Sequence, residues 1–211
     1  MFSDRRHAGA LLGEAITVLD PHDPVVYALP RGGVPVGFEV AEVLKCPLDI
    51  LVVRKIGVPY QPELAMGAIA ERGVIIRNSD VITQAMIDES EFADVVRLER
   101  RELERRVAMY RSEAEPIPAT GHTAIVVDDG LATGSTALAA VAVLERLGAA
   151  EVWVAVPVAP TDTVFRLAKR ASRMVVLEQP ARFGAVGSWY RDFTQTGDDE
   201  VRDLLARSRL R

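Results

Sequence analysis

The second half of the chain alternates between short apolar runs and longer segments with helical spacing. The apolar runs have the length of strands, and the segments between them repeat apolar residues every three or four positions. These strand-like and helix-like segments are residues 123–127, 135–147, 152–158, 161–170 and 174–177. Such alternation is typical of a mainly parallel sheet with helices packed on its faces. We therefore predict an α/β fold, a mainly parallel sheet flanked by helices, in a single domain of residues 1–211.

The first half of the chain adds further elements to this prediction. Helices are predicted at 4–19, 34–45 and 88–111, strands at 25–29 and 48–53, a hairpin at 65–70 and 74–77, and a final helix at 198–210 capped by Asp198. Gly57 and two prolines predict that residues 54–62 form an irregular, mobile loop. The many charges of the helix at 88–111 are expected to form a solvated face.

Composition narrows the class of partner. The formal net charge of -5 argues against binding of nucleic acid or an anionic membrane and favours a small phosphate-bearing ligand. Cys46 is the single cysteine, so neither an internal disulfide nor a multi-cysteine zinc site is expected. The apolar runs are far shorter than the roughly 20 residues of a membrane helix. Together with a polar start, these features predict a cytoplasmic protein.

Two acidic residues end the apolar run at 123–127. Asp128 and Asp129 carry neighbouring carboxylates that repel each other unless engaged, and ribose hydroxyls are suitable hydrogen-bond donors to them. Residues 130–134 then turn the chain into a helix that begins with Ser135 and Thr136, where free amides, the helix dipole and hydroxyls form an anion site. The alternative is an ordinary turn in which Thr133 or Ser135 caps the helix.

The segment 126–136 resembles the phosphoribosyl diphosphate signature of the type I phosphoribosyltransferase family, an apolar strand followed by two acids and Thr-Gly-x-Thr. Neither a P-loop nor a dinucleotide-binding glycine motif is present. The resemblance implies a Rossmann-like core with a small hood. It also implies that Asp128 and Asp129 hold the ribose 2- and 3-hydroxyls. The residues that would bind the 5-phosphate are Ala132, Thr133, Gly134, Ser135 and Thr136. The 6-oxopurine enzymes place a proposed acid/base Asp where this chain has Ala132.

Two further segments match the family in the same order along the chain. Arg31, Gly32 and Gly33 resemble its diphosphate loop, although an ordinary turn between a strand and a helix is the alternative. Arg54 and Lys55 resemble its basic pair, although surface charge is the alternative. By the resemblance, the three basic residues stabilise the departing diphosphate. Mg²⁺ is expected to arrive with the substrate, bound mainly through phosphate oxygens and water, with no metal ligands from the protein.

The segment 183–193 resembles the hood that builds the acceptor site in purine-using members. Trp189 or Tyr190 can stack on a flat base and Asp192 can accept from a ring nitrogen, although core packing of the aromatic rings is equally open. The 6-oxopurine enzymes place a lysine after the strand equivalent to residues 152–158, where this chain has Pro157 to Pro160. Guanine and hypoxanthine are therefore not favoured as acceptors.

These features predict a glycosyltransferase of the pentosyl-transferring kind. It would transfer phosphoribose from 5-phosphoribosyl 1-diphosphate (PRPP) to a nucleobase-like acceptor and release diphosphate, in nucleotide metabolism. One alternative is a regulator that binds PRPP or a nucleotide without turnover, since one fold serves both roles. Another is a hydrolase or phosphorylase acting on a nucleotide. A homodimer, with the helix from Asp88 at its interface, is compatible with the family.

Overall fold

The structure is a computed structural model that describes residues 1–111 and 115–209. Its elements, in chain order, are α1 (Arg5–Thr17), β1 (Pro24–Ala28), α2 (Gly33–Leu44), β2 (Leu48–Ile50), β3 (Val53–Val58), β4 (Gln61–Ala70), β5 (Ile75–Arg77), α3 (Ser79–Gln84), α4 (Glu89–Arg111), β6 (Thr123–Val127), α5 (Ser135–Arg146), β7 (Glu151–Val158), α6 (Thr161–Leu167), β8 (Arg173–Glu178) and α7 (Asp198–Arg209). Leu210, the last residue of the predicted final helix, lies outside the described residues. Within the described ranges, no helix combines the length and apolar character needed to cross a membrane.

A five-stranded sheet forms the centre of the fold. Its order is β2-β1-β6-β7-β8, and each neighbouring pair is parallel. Val26 and Ile125 share a core cluster with α1 and α2, whereas Val25 and Ala124 share one with α5. Successive side chains of a strand point to opposite faces, so a strand covered on both faces needs apolar residues throughout. The predicted α/β fold with a mainly parallel sheet flanked by helices is confirmed.

A second sheet, β3-β4-β5, is antiparallel. The prediction of an irregular loop at 54–62 is wrong, because most of that segment lies in the hairpin of β3 and β4. Pro59 sits in the turn of this hairpin, and a register shift at Gly57 lets its backbone approach the Pro62 carbonyl, where an added Cβ would lie 2.5 Å from the oxygen. The predicted strand at 48–53 is likewise divided between the two sheets. The predicted hairpin of β4 and β5 is confirmed, with a 3-10 turn at Glu71–Gly73.

A buried ion-pair network joins the two sheets. Arg111, the last residue of α4, contacts Asp49 of β2 at 2.8 Å and Glu71 of the 3-10 turn at 2.5 Å. Its Nη2 also donates to the Ile50 carbonyl at 2.8 Å. Arg111 is 6% exposed and Asp49 1% exposed, and charges so deeply buried are tolerated only when paired. The network therefore holds the antiparallel sheet and α4 against the edge of the parallel sheet.

Candidate functional site

The loops that follow β1 and β6 meet at the carboxyl edge of the parallel sheet. β1 and β6 are parallel neighbours, so the loops that follow them lie side by side. Beside them the structure forms a cavity of about 730 Å³, whose lining also includes β3 and α4. The predicted site residues in this lining are Arg54, Lys55, Asp128, Ser135 and Thr136. These five residues, far apart in sequence, therefore share one cavity. The lining does not include the other residues predicted to bind the ribose and phosphates, which are Arg31, Gly32, Gly33, Asp129, Ala132, Thr133 and Gly134.

The acidic pair has an asymmetric environment. Asp128 lines the cavity, and its Oδ1 accepts a hydrogen bond from the backbone N–H of Asp129 at 2.9 Å. The Oδ2 atom of Asp129 instead accepts from Arg5 Nε at 2.8 Å. Burial, followed by the charge of Asp129, raises the pKa of Asp128 well above its usual range. Burial also raises the pKa of Asp129, and the Arg5 guanidinium opposes that shift. No local pattern in the sequence singles out Arg5.

The residues predicted to bind the 5-phosphate lie in the loop between β6 and α5 and at the first two positions of α5. Ala132, Thr133 and Thr136 are exposed, while the Ala132 carbonyl accepts from Thr163 Oγ1 at 2.8 Å. Gly134, with φ of 67°, occupies the position before α5, which has no side-chain cap there. The alternative of a Thr133 cap is partly retained, because Thr133 Oγ1 accepts a long hydrogen bond from the Ser135 N–H at 3.5 Å. Because the first amides of a helix lack partners within it, this loop offers donors and hydroxyls to an anion.

The predicted diphosphate loop packs directly on the acidic pair. The peptide bond between Pro30 and Arg31 is cis. A Cβ atom on Gly32 would lie 2.1 Å from Asp129 Oδ2, and one on Gly33 would lie 2.6 Å from the Val127 carbonyl oxygen. Only glycine allows this approach without displacing the neighbouring atoms. The sequence prediction that these two glycines belong to the site thus has a steric basis.

Each predicted leaving-group cation contacts a carboxylate. Arg31 lies 3.6 Å from Asp198, whose carboxylate also accepts from Tyr110 Oη at 2.8 Å. Arg54 contacts Glu99 at 2.7 Å, and Lys55 contacts Glu63 at 3.2 Å. The predicted cap residue Asp198 is the first residue of α7, and its carboxylate is directed to these partners.

Helix α4 contributes a wall of the cavity. Val95, Leu98, Glu99 and Arg106 all belong to its lining, and Leu98 is 65% exposed. The expectation that the charges of this helix form only a solvated face is therefore wrong for Glu99 and Arg106. The reason is tertiary, because the antiparallel hairpin brings β3 against this side of the helix.

Of the predicted acceptor residues, Tyr190 contacts the acidic pair, and none of the three belongs to the lining of the cavity. Tyr190 is 6% exposed, its Oη donates to the Asp129 carbonyl at 2.5 Å, and its ring packs against Phe2 and Phe193. In this structure its ring faces are used for packing. Trp189 is partly buried in the same cluster. Asp192 is exposed, and its carboxylate accepts from the Thr194 hydroxyl and N–H, contacts that lower its pKa.

Comparisons with known proteins agree with this geometry. The family model described as phosphoribosyl transferase domain matches residues 6–192. A Mycobacterium tuberculosis protein named as a phosphoribosyl transferase is 50% identical over 208 residues, which are 99% of this chain and 47% of that protein. The chain thus spans about half the length of the curated relatives it matches.

Solved structures give the same answer for the fold. TT1426 from Thermus thermophilus superposes with a TM-score of 0.93 at 41% sequence identity, covering 98% of each chain. The AQ2163 protein from Aquifex aeolicus superposes with a TM-score of 0.52 at 13% identity, covering 95% of this chain and 84% of its own. The second likeness bears on the fold alone.

Proposed function

Because the chain belongs to the phosphoribosyl transferase domain family, we propose that it transfers phosphoribose from PRPP to a nucleobase-like acceptor and releases diphosphate. One observation carries the proposal. Asp128, the hydroxyls of Ser135 and Thr136, and the cations Arg54 and Lys55 line the same cavity. Its volume of about 730 Å³ falls within the range of roughly 300–1,000 Å³ typical of small-molecule sites.

The residues divide the substrate between them. Ribose hydroxyls donate to the acidic pair, and the 5-phosphate accepts from the amides and hydroxyls of residues 132–136. The diphosphate lies toward Arg54 and Lys55. As the bond from the anomeric carbon to the diphosphate oxygen breaks, its electron pair leaves with the diphosphate, and positive charge develops on the ribose. A nitrogen of the acceptor then bonds to that carbon and loses its proton, which the departing diphosphate can accept. The protein contributes positioning and electrostatic stabilisation of the departing anion.

Mg²⁺ is proposed to enter with the diphosphate and to offset part of its charge. The described residues contain no cluster of three or more His, Cys, Asp or Glu side chains able to hold a metal ion. Arg54 and Lys55 would face the diphosphate and offer the metal ion no ligand. The ion would then be held by phosphate oxygens and water, because Mg²⁺ retains several waters in such complexes.

A regulator that binds PRPP without turnover is the second candidate. Two observations favour it: the cations Arg31, Arg54 and Lys55 each have a carboxylate neighbour, and position 132 carries alanine rather than an acid.

The acceptor site is proposed at the hood segment 183–193, which contacts the acidic pair through Tyr190.

Calorimetry with PRPP, with and without Mg²⁺, tests the site. Asp128→Asn should weaken binding by about 10-fold or more, since hydrogen bonds to a charged group contribute about 1.5–3 kcal/mol. Asp203→Asn, an exposed aspartate of α7, is the matched control and should bind as the parent does. Equal affinity of the Asp128 variant and the parent would reject the site assignment.

A diphosphate-release assay across a panel of nucleobases separates the two candidate functions. Release that depends on one of the bases supports the transferase. Tight binding of PRPP with no release on any base favours the regulator. If the protein neither binds PRPP nor releases diphosphate, both the transferase and the regulator are ruled out.

A further inference from the structure

The two carboxylates of the acidic pair face different surroundings. Asp128 belongs to the lining of the 730 Å³ cavity. Asp129 has its Oδ2 atom 2.8 Å from Arg5 Nε, with the side chains of Arg5 and Asp129 only 11% and 15% exposed. A Cβ atom on Gly32 would lie 2.1 Å from the same oxygen, so the diphosphate loop packs directly against it. Asp128 therefore borders the cavity, whereas the Asp129 carboxylate is held by Arg5 and packed against Gly32.

Arg5 connects Asp129 to the hood. Its Nη1 donates to the Thr194 carbonyl at 2.7 Å, and its guanidinium lies 3.9 Å from the centre of the Phe193 ring. Arg5 is the first residue of α1, which Asp4 caps by accepting from the His7 N–H. A single guanidinium thus contacts the Asp129 carboxylate, the ring of a hood residue and the carbonyl of the residue that follows the hood.

The chain just before α1 strengthens this connection. The Phe2 N–H donates to the Trp189 carbonyl at 2.8 Å, and the Arg191 N–H donates to the Phe2 carbonyl at 2.9 Å. The start of the chain is therefore hydrogen-bonded to the hood on both sides of Tyr190, whose hydroxyl reaches the Asp129 carbonyl. The position of α1 sets the position of Arg5 relative to the acidic pair.

We propose that Arg5 is a positioning residue that holds Asp129 between α1, the hood and the diphosphate loop, so that Asp128 is the principal carboxylate for the ribose. This inference rests on the proposed function and deepens it, because it assigns unequal roles to two residues that the sequence motif treats alike.

The pKa values of both acids are shifted, more strongly for Asp128 than for Asp129. Burial raises the pKa of both acids, and their mutual repulsion adds to the effect on Asp128. The groups that face Asp129 are Arg5 from α1, Asp128 from the loop after β6 and the Tyr190 hydroxyl from the hood, while Asp192 lies near Arg5. Among these, Arg5 is the cation, and it acts to lower the pKa of both acids. Its loss should raise both pKa values, so the two carboxylates should become protonated at a higher pH than in the parent protein.

The test compares Arg5→Met with Arg6→Met. Arg6 is the next residue of the same helix and contacts Glu39 at 2.6 Å on the exposed side, so its variant also removes an ion pair from α1 but leaves the site intact. Arg5→Lys is the conservative variant. The readouts are the pH titration of carbon-13-labelled aspartate carboxyls in the free protein, assigned with Asp129→Asn, and calorimetric PRPP binding from pH 5 to 9.

In Arg5→Met, we expect the titration midpoints of the acidic pair to move to higher pH. PRPP binding should weaken by about 10-fold or more at neutral pH, as for loss of a charge-assisted contact, and the deficit should shrink as pH rises. Arg5→Lys should stay close to the parent midpoints, Arg6→Met should match the parent throughout, and Asp129→Asn should lose less affinity than Asp128→Asn.

Unchanged carboxyl midpoints in Arg5→Met would overturn the proposal, as would an equal effect of Arg6→Met. An affinity loss that is the same at every pH would indicate a structural role only and would also overturn it. If the parent does not bind PRPP, the proposed function fails, but the carboxyl titration in the free protein still decides the role of Arg5.

Discussion

Replacing Glu99 with Gln is expected to tighten the binding of magnesium diphosphate. Arg54 lines the cavity, and both its Nε and Nη2 lie 2.7 Å from Glu99 Oε2. An incoming diphosphate must therefore compete with this carboxylate for the guanidinium. Glutamine retains an oxygen acceptor that keeps Arg54 in place, but it removes the competing negative charge.

The exposure of the two side chains sets the size of the effect. Arg54 is 29% exposed and Glu99 17%, so the pair lies between an exposed ion pair, worth about 0.2–1 kcal/mol, and a hydrogen bond to a charged group, worth about 1.5–3 kcal/mol. A value of about 1 kcal/mol corresponds to roughly five-fold tighter binding. Lys55 and Glu63 form a weaker test, because Glu63 is 82% exposed and the change for Glu63→Gln should stay within about two-fold.

Isothermal titration of each variant with diphosphate at fixed Mg²⁺ and low ionic strength measures these differences. Glu104→Gln is the control, because Glu104 is an exposed residue of the same helix and its loss changes the net charge by the same amount. Affinity of Glu99→Gln equal to or below that of the parent would refute the reasoning. It would mean that Glu99 orients Arg54 for the ligand rather than competing with it.

Two further predictions concern the packing around the site. Gly32→Ala should reduce PRPP affinity by about 10-fold or more with little change in circular dichroism, because the added methyl meets the Asp129 carboxylate, whereas Gly197→Ala, whose added methyl would have no atom within 4 Å, should have no effect on binding. Arg111→Met should lower the free energy of unfolding in urea by about 3–5 kcal/mol, because it leaves buried carboxylates unpaired, whereas Arg105→Met, which removes an exposed pair, should leave the urea midpoint close to that of the parent.

The strand, the acidic pair and the turn into α5 could be located from the sequence because their signals are local. The segment 123–136 contains, in order, an apolar strand, two acids, and a mixture of glycines and hydroxylated residues. Each of these affects the conformation of the backbone next to it. The parallel sheet was predictable for a related reason: strands buried on both faces leave unbroken apolar runs. Gly32 and Gly33 were identified by the motif, although the steric reason for them, contact with Asp129 and Val127, appears only in the fold.

Contacts between distant residues decided the rest. Arg5 lies 124 positions from Asp129 and Glu99 lies 45 positions from Arg54, so no spacing in the chain relates them. The segment 54–62 has the composition of a loop, yet pairing with β4 makes most of it a strand. Tyr190 has a ring suited to stacking on a base, and packing against Phe2 places that ring in the core. Local residue preferences set which conformations a segment can adopt, but the partner that satisfies its charges, hydrogen bonds and apolar surface is chosen when the whole chain folds.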